Sequence, residues 1–254
     1  MNYTNKQMMA IALSRELEDD KTYIVGTGLP LIGASLAKHT HAKNASLLFE
    51  TGIMDGNPIE VPTSVGDLRI CHAASALWPQ FRYCGFEVVA SKAGKIAGGF
   101  LGGAQIDPYG NLNSTSLGDY NNPDVRFSGS GGANGIATFC DTFIIMKHEK
   151  RRFVEKVDYI TSPGWIGPEG RESVGLDPTK GPRAVITELG IMRFDDDTKR
   201  IYLSEYFEGT TPEEIRDNTG FFLDISRAKK AKPPMEEELS TLVNKVDPTG
   251  LMTK

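Results

Sequence analysis

The sequence predicts an α/β fold: an open, mainly parallel, twisted sheet with helices on both faces and antiparallel strands added in the C-terminal part. The first observation is an apolar strand at 23–25, followed by a glycine-rich turn, a helix at 31–38 and a second strand at 47–49. Such a βαβ unit requires parallel strands. The second observation is a series of short apolar runs separated by hairpin-like turns, which is typical of antiparallel strands. These later strands are expected at residues 157–160, 184–187, 191–194 and 201–203.

The bulk composition favours a globular protein of one domain. Of the 254 residues, 39% are hydrophobic and 24% are charged, and no repeat or compositional shift marks a boundary, so we expect a single domain over residues 1–254. The formal net charge of −5 argues against a nucleic-acid partner, which needs a basic face. No apolar stretch approaches the ~18 residues of a membrane span. The N-terminus lacks an apolar signal core, so we expect a cytoplasmic protein.

The first helix is marked by a cap and an apolar stripe. Thr4 and Gln7 have the spacing of a capping box, in which two side chains satisfy free backbone N–H groups reciprocally. Met9, Leu13 and Leu17 then recur every four residues. This spacing places their side chains on one face of a helix.

The later elements follow from similar local signals. Residues 96–101 form an apolar run that is expected as a buried strand, and a turn signal at 108–111 precedes a returning strand at 112–117. Pro212 after Thr211 marks the start of a short helix. The other expected elements are a helix at 136–139, a strand at 143–146 and a last helix at 235–246.

The first glycine-rich turn imitates a dinucleotide-binding fingerprint. Gly26 and Gly28 have the spacing of its first two glycines, but the third position is Leu31. The next glycine is Gly33, and Pro30 interrupts the turn. We therefore interpret these glycines as serving a tight turn and close helix packing, rather than a nicotinamide or flavin site.

Glu50 is the strongest candidate for chemistry. It ends the apolar run at 47–49 and is followed closely by Gly52. The carboxyl end of a strand in an open α/β sheet faces the crevice where ligands bind. A carboxylate in that place can be a nucleophile, a base or a group that binds hydroxyls, and the local residues leave the three open. Other carboxylates in the turn-rich stretch that follows are interpreted as turn or cap residues, namely Asp55, Glu60 and Asp67.

Two further glycine-rich segments follow predicted strands or precede a predicted helix. Gly102 and Gly103 come directly after the strand at 96–101, where glycine lets a ligand approach the backbone. The stretch 129–135 precedes the helix at 136–139, and exposed N–H groups in such a loop can bind an anion or oxyanion. A structural turn explains 129–135 equally well. A nucleotide-triphosphate loop is excluded, because the Gly-Lys-Ser/Thr pattern is missing.

The cysteines and histidines give little support for a metal site. Cys71, Cys84 and Cys140 are widely spaced and lack CxxC pairing, so we interpret them as reduced packing residues. His39 and His41 follow a predicted helix without an acidic third ligand beside them. A solvated helix end is favoured there over a metal site.

Residues 148–152 form a basic cluster after a predicted strand. We interpret it as a solvated strand end, with contact to a ligand phosphate or a partner subunit as the alternative.

Taken in order, several stretches resemble the β subunits of class I coenzyme A transferases, most closely those of the glutaconate type. The catalytic glutamate of that family stands in a Ser-Glu-Asn-Gly motif, or Glu-Ser-Gly in the glutaconate type. Here the chain has Phe49, Glu50, Thr51 and Gly52, so the acid and the glycine are kept while their neighbours differ. The stretches are residues 25–35, 60–69, 102–110 with 113–116, 129–137, 148–153 and 159–165.

The resemblance implies the coenzyme A transferase type of sheet and a ping-pong transfer of CoA. In that reaction Glu50 is the nucleophile and becomes a γ-glutamyl-CoA thioester. Two glycine-rich segments are implied to complete the site. Their residues are Gly131, Gly132 and Ala133 near the reacting carbonyl, and Gly102, Gly103, Ala104 and Gln105 along the CoA.

The resemblance also implies partners and substrates. An α subunit is expected to complete the pocket, in an α2β2 or α4β4 heteromer. The expected substrates are an acyl-CoA, best represented by a dicarboxylic one such as glutaconyl-CoA, and small carboxylic acids. Coenzyme A is a substrate, and no metal or redox cofactor is implied. Two alternatives stay open: an acyl-CoA hydrolase or decarboxylase of the same fold, and a CoA-thioester-binding subunit without chemistry of its own.

Overall fold

The computed structural model describes residues 2–64, 66–79 and 90–254. Two compact units divide the chain. Unit 1 combines Met1–Phe100 with Lys232–Lys254, and unit 2 is Leu101–Ala231. One domain over residues 1–254 stays a prediction.

The first helix, α1, spans Asn5–Ser14 and begins as predicted. Thr4 Oγ1 accepts a hydrogen bond from Gln7 N at 3.1 Å, and Gln7 Oε1 accepts one from Thr4 N at 2.8 Å. These two bonds form the reciprocal capping box. The helix ends before Leu17, but the Leu17 side chain is still buried, so the predicted apolar stripe extends beyond the helix.

The predicted βαβ unit is confirmed in unit 1. Strand β1 (Thr22–Ile24) leads through a turn into helix α2 (Leu29–His39) and then strand β2 (Ser46–Phe49), which pairs with β1 in parallel. Another strand, β5 (Gly98–Leu101), also pairs with β1 in parallel.

The glycines of the first turn serve the backbone and the packing. Gly28 has φ +81°, a conformation that side chains disfavour, and it directly precedes α2 with Pro30 in the first turn. A Cβ added at Gly33 would overlap the Leu13 side chain, so Gly33 lets α1 and α2 approach closely. This confirms the interpretation for Gly28 and Gly33. Gly26 has neither a positive φ nor a close neighbour for an added Cβ, so its role stays a prediction.

The rest of unit 1 extends the sheet and covers it. Strand β3 (Ile53–Met54) pairs antiparallel with β2, and β4 (Ala76–Leu77) pairs antiparallel with β3. The order within the unit is therefore β5-β1-β2-β3-β4. Near the C-terminus, helix α5 (Glu236–Thr241) continues as a π-helical turn over Leu242–Val246, which matches the predicted last helix.

Unit 2 begins with two hairpins. Strand β6 (Gln105–Ile106) pairs with β7 (Leu112–Asn113), and β8 (Ser116–Gly118) pairs with β9 (Pro123–Arg126). The single strand predicted at 112–117 is thus wrong, because it is two strands with a break between them. Asn113 Oδ1 causes the break by accepting hydrogen bonds from the backbone N–H groups of residues 115 and 116.

The predicted later strands are mostly confirmed. Strands β10 (Asp141–Ile145) and β11 (Pro182–Ile186) are parallel, whereas β12 (Gly190–Phe194) and β13 (Ile201–Tyr206) continue antiparallel. A short strand β14 (Lys229–Lys230) adds in parallel to β13. Antiparallel strands in the C-terminal part were therefore predicted correctly.

The strand predicted at 157–160 is wrong, since these residues form no strand. Asp158 binds side-chain partners in place of a strand ladder: its N–H donates to Gln105 Oε1 at 3.1 Å, and its carboxylate accepts from Gln105 Nε2 at 3.1 Å. The same carboxylate accepts from Gly118 N at 3.0 Å. Tyr159 and Ile160, which a buried strand would enclose, are exposed.

Two short helices complete unit 2. Helix α3 spans Ala133–Phe139, and helix α4 spans Pro212–Asp217 with a reciprocal capping box between Thr211 and Glu214. Helix α4 begins at Pro212 as predicted, whereas α3 begins at Ala133, ahead of the predicted start at residue 136. Within the residues that the structure describes, no helix is both long and apolar enough to cross a membrane.

Candidate active site

Glu50 lies on a tight hairpin turn at the carboxyl end of β2. Phe49 pairs with Ile53 of β3, which leaves Glu50, Thr51 and Gly52 as the loop. Gly52 N donates to Phe49 O at 2.9 Å, and Gly52 has φ +90°. A left-handed third residue is typical of three-residue hairpin loops and favours glycine. The turn therefore explains why a glycine follows two residues after the acid.

The turn directs one side chain inward and its neighbour outward. Phe49 is 0% exposed, whereas Glu50 is exposed. The backbone of Trp78 supports the turn, since its N–H donates to Gly52 O at 2.8 Å. Thr51 Oγ1 is buried and has no hydrogen-bond partner. The nucleophile position predicted from the sequence is thus an exposed carboxylate on a rigid loop.

The other carboxylates of this stretch serve the structure, as predicted. Asp55 forms an ion pair with Lys38 at 2.5 Å. Asp67 caps a short 3-10 helix by accepting from Arg69 N at 3.1 Å, and its side-chain bond to Arg69 holds the pKa of Asp67 well below its usual range. Glu60 lies 3.3 Å from Arg69. Glu50, by contrast, has no ion-pair partner among the described residues.

The loop at 129–132 in unit 2 is open and glycine-dependent. Gly129 has φ +91° and Gly131 has φ +52°, and a Cβ at either position would meet empty space. Backbone conformation alone therefore favours glycine there. Ala133 N donates to Ser130 O at 3.0 Å, which closes the loop as a turn.

The three residues that were predicted to lie near the reacting carbonyl differ in how their backbone N–H groups are bonded. The N–H of Ala133 is committed to Ser130. The N–H groups of Gly131 and Gly132 have no acceptor in the described part of the chain. Two donors are therefore left for a ligand.

A residue that the sequence reasoning missed, Arg171, anchors this region. Its side chain is buried without an ion-pair partner in the part of the chain that the structure describes, and burial lowers the pKa of the guanidinium. All its hydrogen bonds go to backbone carbonyls, including the last turn of α3. The acceptors are Ala137 at 2.9 Å, Thr138 at 3.0 Å, Pro163 at 3.3 Å, Gly164 at 2.8 Å and Asp177 at 2.9 Å. No local pattern reveals this role, because the partners are distant in sequence.

The segment 102–105 is more enclosed than the sequence suggests. Gly102 is exposed, but a Cβ at Gly103 would press on the backbone at 3.1 Å, so this glycine serves packing. Ala104 N donates to Asn113 O at 2.8 Å. The Gln105 side chain is buried, and its Oε1 accepts from Asn113 Nδ2 at 2.7 Å. Its other bonds go to Asp158, so the side chain positions the segment.

Both predicted glycine segments of unit 2 meet the same short stretch of chain. The segment 102–105 bonds to Asn113, and Gly129 N donates to Ser114 O at 3.1 Å. Asn134 Nδ2, one residue into α3, donates to Thr161 O at 2.8 Å, and Ser114 N donates to Thr161 Oγ1 at 2.9 Å. The structure therefore brings these two segments together within unit 2, while Glu50 belongs to unit 1.

The basic cluster is only partly a solvated strand end. His148 is 5% exposed and stacks on Phe153 with ring centroids 4.2 Å apart, so the prediction is wrong for this residue. Its Nε2 lies 3.1 Å from Thr219 Oγ1 and its Nδ1 3.3 Å from Thr187 Oγ1. Burial lowers the pKa of His148 to about 4. Arg151, in contrast, is exposed.

The candidate metal ligands have other partners. His39 Nδ1 donates to Ser35 O at 2.8 Å, and His41 Nε2 donates to Leu17 O at 3.1 Å. Among the described residues, no three histidine, cysteine, aspartate or glutamate side chains are grouped to hold a metal ion. Cys71 is half-buried and Cys140 is buried, and Cys84 lies outside the described residues.

Comparisons with known proteins agree on one family. The profile of the family described as Coenzyme A transferase matches residues 6–218. The chain is 50% identical over 250 residues to the B subunit of glutaconate CoA-transferase from Acidaminococcus fermentans, covering 97% of this chain and 94% of the relative. The crystal structure of that enzyme matches with a TM-score of 0.93 and 49% identity, covering 100% of this chain and 98% of the other.

Two further relatives differ in their named activity. The chain is 37% identical over 246 residues to the B subunit of 3-oxoadipate CoA-transferase from Pseudomonas knackmussii, covering 94% of this chain and 92% of the relative. It is 26% identical over 255 residues to a cholesterol ring-cleaving hydrolase IpdB subunit of Mycobacterium tuberculosis, covering 98% of this chain and 96% of the relative.

Proposed function

The chain belongs to the coenzyme A transferase family, and from this premise we propose that it is the B subunit of a glutaconate-type CoA-transferase. The enzyme would move CoA between an acyl-CoA and a carboxylic acid. The observation that carries the proposal is Glu50, an exposed carboxylate on a glycine-closed turn at the end of a parallel strand, with no ion-pair partner among the described residues. A dicarboxylic acyl-CoA such as glutaconyl-CoA is the proposed donor, supported by 50% identity to a glutaconate enzyme.

The proposed first half-reaction uses Glu50 as a nucleophile. Its carboxylate attacks the thioester carbonyl of the donor, the carbon–sulfur bond breaks, and an acyl-glutamyl anhydride and CoA thiolate form. The thiolate then attacks the glutamyl carbonyl of the anhydride. This gives γ-glutamyl-CoA thioester on Glu50 and releases the donor acid as a carboxylate. Covalent catalysis of this kind divides one difficult exchange into easier steps.

The second half-reaction runs the same steps in reverse. The acceptor carboxylate attacks the glutamyl thioester, and the released thiolate attacks the acyl carbonyl of the new anhydride, which regenerates Glu50. Each attack develops an oxyanion, for which the N–H groups of Gly131 and Gly132 are the proposed donors. One such donor is worth roughly 3–4 kcal/mol in other enzymes.

An α subunit is the proposed partner, in an α2β2 or α4β4 heteromer. The relatives are named as B subunits, which supports a second kind of chain. Large apolar side chains are exposed in unit 1 on the stretch that supports the Glu50 turn: Ile59 is 71% exposed, Leu68 83% and Leu77 63%. A surface of this kind marks a contact site for another protein. An α subunit bound there would also exclude water from Glu50, where water would otherwise hydrolyse the glutamyl thioester.

Glu50→Gln in the reconstituted complex tests the proposal. The amide is a poor nucleophile, so we expect transfer to be abolished while acyl-CoA still binds. In the unchanged enzyme, incubation with an acyl-CoA followed by borohydride should leave a mass change on Glu50. Glu237→Gln is the matched control, because Glu237 is exposed in the same unit, lies outside the stretch proposed to bind the α chain, and is expected to leave transfer intact. Retained transfer in Glu50→Gln would refute the nucleophile and favour a subunit that only binds the thioester.

A hydrolase or decarboxylase of the same fold is the alternative activity. The 26% identical hydrolase subunit supports it, although the transferase relatives are more similar. The discriminating assay supplies acyl-CoA without any acceptor carboxylate. Rapid net release of CoA, or of carbon dioxide, would contradict the transferase proposal. Little release without an acceptor, and exchange once one is added, is the expected result.

A further inference from the structure

We propose that the side chains of Lys147, Lys150, Arg151 and Arg152, which together form the cationic cluster, bind the phosphate groups at the nucleotide end of CoA. This rests on the proposed function, because it assumes a CoA thioester as the substrate. The ligand class is a nucleotide bearing a diphosphate and a 3′-phosphate. The cluster lies in unit 2 beside the segment 102–105, and its proposed role is to hold the remote part of the substrate.

The charge of the cluster is the first reason. The chain carries a formal net charge of −5, yet four cations fall within six residues. Among the described residues, Glu149 pairs with three of these cations, and the carboxylate of Glu188 lies beside the stretch, where its Oε2 accepts from His148 N at 3.0 Å. An excess of two positive charges remains. A local excess of this kind attracts a polyanion in spite of the opposite overall charge.

The arrangement around Glu149 is the second reason. Its carboxylate lies 2.8 Å from Lys147 Nζ, 2.8 Å from Arg151 Nη2 and 3.0 Å from Arg152 Nε. These bonds lower the pKa of Glu149 to about 2. The carboxylate therefore holds three cations close together before any ligand arrives.

The cationic side chains of the cluster have N–H groups that are exposed and can bind a ligand. The Arg151 side chain is 78% exposed and uses only its Nε and Nη2 on Glu149, and the Lys147 side chain is 67% exposed. A guanidinium has five N–H donors in a planar fork, which fits two phosphate oxygens at once. Lys150 is exposed and adds a further mobile charge.

The position of the cluster within unit 2 is the third reason. Arg152 Nη1 donates to Gly103 O at 3.4 Å, and Ile106 N donates to Arg152 O at 2.7 Å. The cluster thus packs against the segment 102–105, which the resemblance assigns to CoA. That segment reaches the loop at 129–132 through residues 113 and 114.

Contact between the cationic cluster and the segment 102–105 suits the extended shape of a CoA thioester. The acyl group reacts at one end of CoA, and the phosphates lie at the other. Contacts with the nucleotide can supply binding energy that is used at the thioester. The contact of Arg152 with Gly103, in the segment that the resemblance assigns to CoA, therefore supports phosphate binding by the cluster.

The test uses the complex with its α partner and three donors: the acyl thioesters of CoA, of 3′-dephospho-CoA and of pantetheine. In Arg151→Gln, we expect kcat/KM for the CoA thioester to fall about tenfold through KM, as expected for a lost bond between charged groups. The pantetheine thioester lacks every phosphate, so its kcat/KM should change less than twofold. Lys150→Gln should show a smaller loss with the same selectivity.

The thioester of 3′-dephospho-CoA shows which phosphate group of CoA the cluster binds. Loss with CoA but not with 3′-dephospho-CoA assigns the cluster to the 3′-phosphate, and equal loss with both assigns it to the diphosphate. Arg216→Gln is the matched control, since Arg216 is a half-exposed arginine of the same unit whose neighbour is Asp217. It should leave all three donors unchanged.

Three results would overturn the proposal. One is an equal loss with the pantetheine thioester, and another is a loss of less than twofold with every donor. The third is dissociation of Arg151→Gln from the α chain in size-exclusion chromatography, which would assign the cluster to the partner. Borohydride trapping on Glu50 with the pantetheine thioester is run in parallel. If Glu50 is trapped but the phosphates make no difference, only the phosphate site fails; if Glu50 is never trapped, the proposed function fails.

Discussion

Glu50 and Thr51 are neighbours on one turn but have opposite surroundings. Glu50 faces outward without an ion-pair partner among the described residues, while the Thr51 hydroxyl is buried with nothing to bond. Leaving a buried polar group unsatisfied costs about 1–3 kcal/mol. The Thr51 hydroxyl therefore lowers the stability of the turn beside the residue that is proposed to react. Threonine at this position keeps a hydroxyl group next to the acid.

His148 gives a prediction of pH dependence at this scale. Burial holds the pKa of its ring at about 4 in the folded chain, below the ordinary value of 6.5. As the pH falls from 6.5 towards 4, the unfolded chain takes up the proton first, so the free energy of unfolding decreases. The slope is about 1.4 kcal/mol per pH unit, or about 3 kcal/mol over the window. Above pH 6.5 this contribution to stability is fully present.

Urea unfolding between pH 7.5 and 4.5 measures this slope. His148→Gln should lose less stability than the unchanged chain across the window, because it has no proton to take up. His72→Gln is the control, since His72 is exposed and is expected to leave the slope unchanged. Parallel curves for His148→Gln and the unchanged chain would contradict the assignment.

At the scale of elements, the loop at 129–132 can be tested by single alanines. Gly131→Ala puts a side chain on a left-handed residue, which costs roughly 1–2 kcal/mol even though the Cβ meets no atom. If the loop shifts to relieve this, the N–H groups of Gly131 and Gly132 move. We expect kcat to fall at least tenfold, as for the loss of part of an oxyanion hole.

Gly135→Ala is the matched control for that variant. Gly135 lies within α3, an added Cβ there meets open space, and alanine favours a helix. Steady-state kinetics of the two variants in the reconstituted complex should therefore diverge. A similar loss of kcat in both would indicate that crowding, and not the donor geometry, limits the reaction.

The elements also show how far local pattern predicts this fold. The βαβ unit and the capped helices follow from nearby residues, and these were confirmed. The predictions of strands at 112–117 and 157–160 were wrong because side chains bond to the backbone there. The Asn113 side chain bonds to the backbone just after it, and the backbone of Asp158 bonds to the Gln105 side chain. Those contacts depend on the folded arrangement, which apolar periodicity does not contain.

The same limit applies to the site. Glu50 was predicted because a strand end and a glycine signal it locally. Arg171 and the burial of His148 were not, since their partners lie up to 71 residues away in the chain. The enclosure of the Gln105 side chain was missed for the same reason.

For the whole molecule, the exposed apolar stretch of unit 1 predicts how the chain assembles. Leu68 is 83% exposed, and burial of such a side chain against a partner contributes about 1.5–3 kcal/mol. Leu68→Lys should therefore weaken binding to the α chain by at least tenfold while the fold persists. Analytical ultracentrifugation of mixtures of the two chains measures this.

Leu251→Lys provides the comparison, because Leu251 is 55% exposed in the same unit but lies near the C-terminus. It should bind the α chain normally. If both variants assemble equally well, the stretch from 59 to 77 is not the contact site. If both fail, general loss of solubility explains the result better.

The bonding of Arg171 has a consequence for how unit 2 comes apart. One guanidinium holds carbonyls from three separate places in the chain: the end of α3, residues 163–164 and residue 177. Opening any one of them leaves buried donors without acceptors, which raises the cost of opening it alone. The free energies of opening the three segments are thereby coupled, so we expect them to open together rather than one at a time.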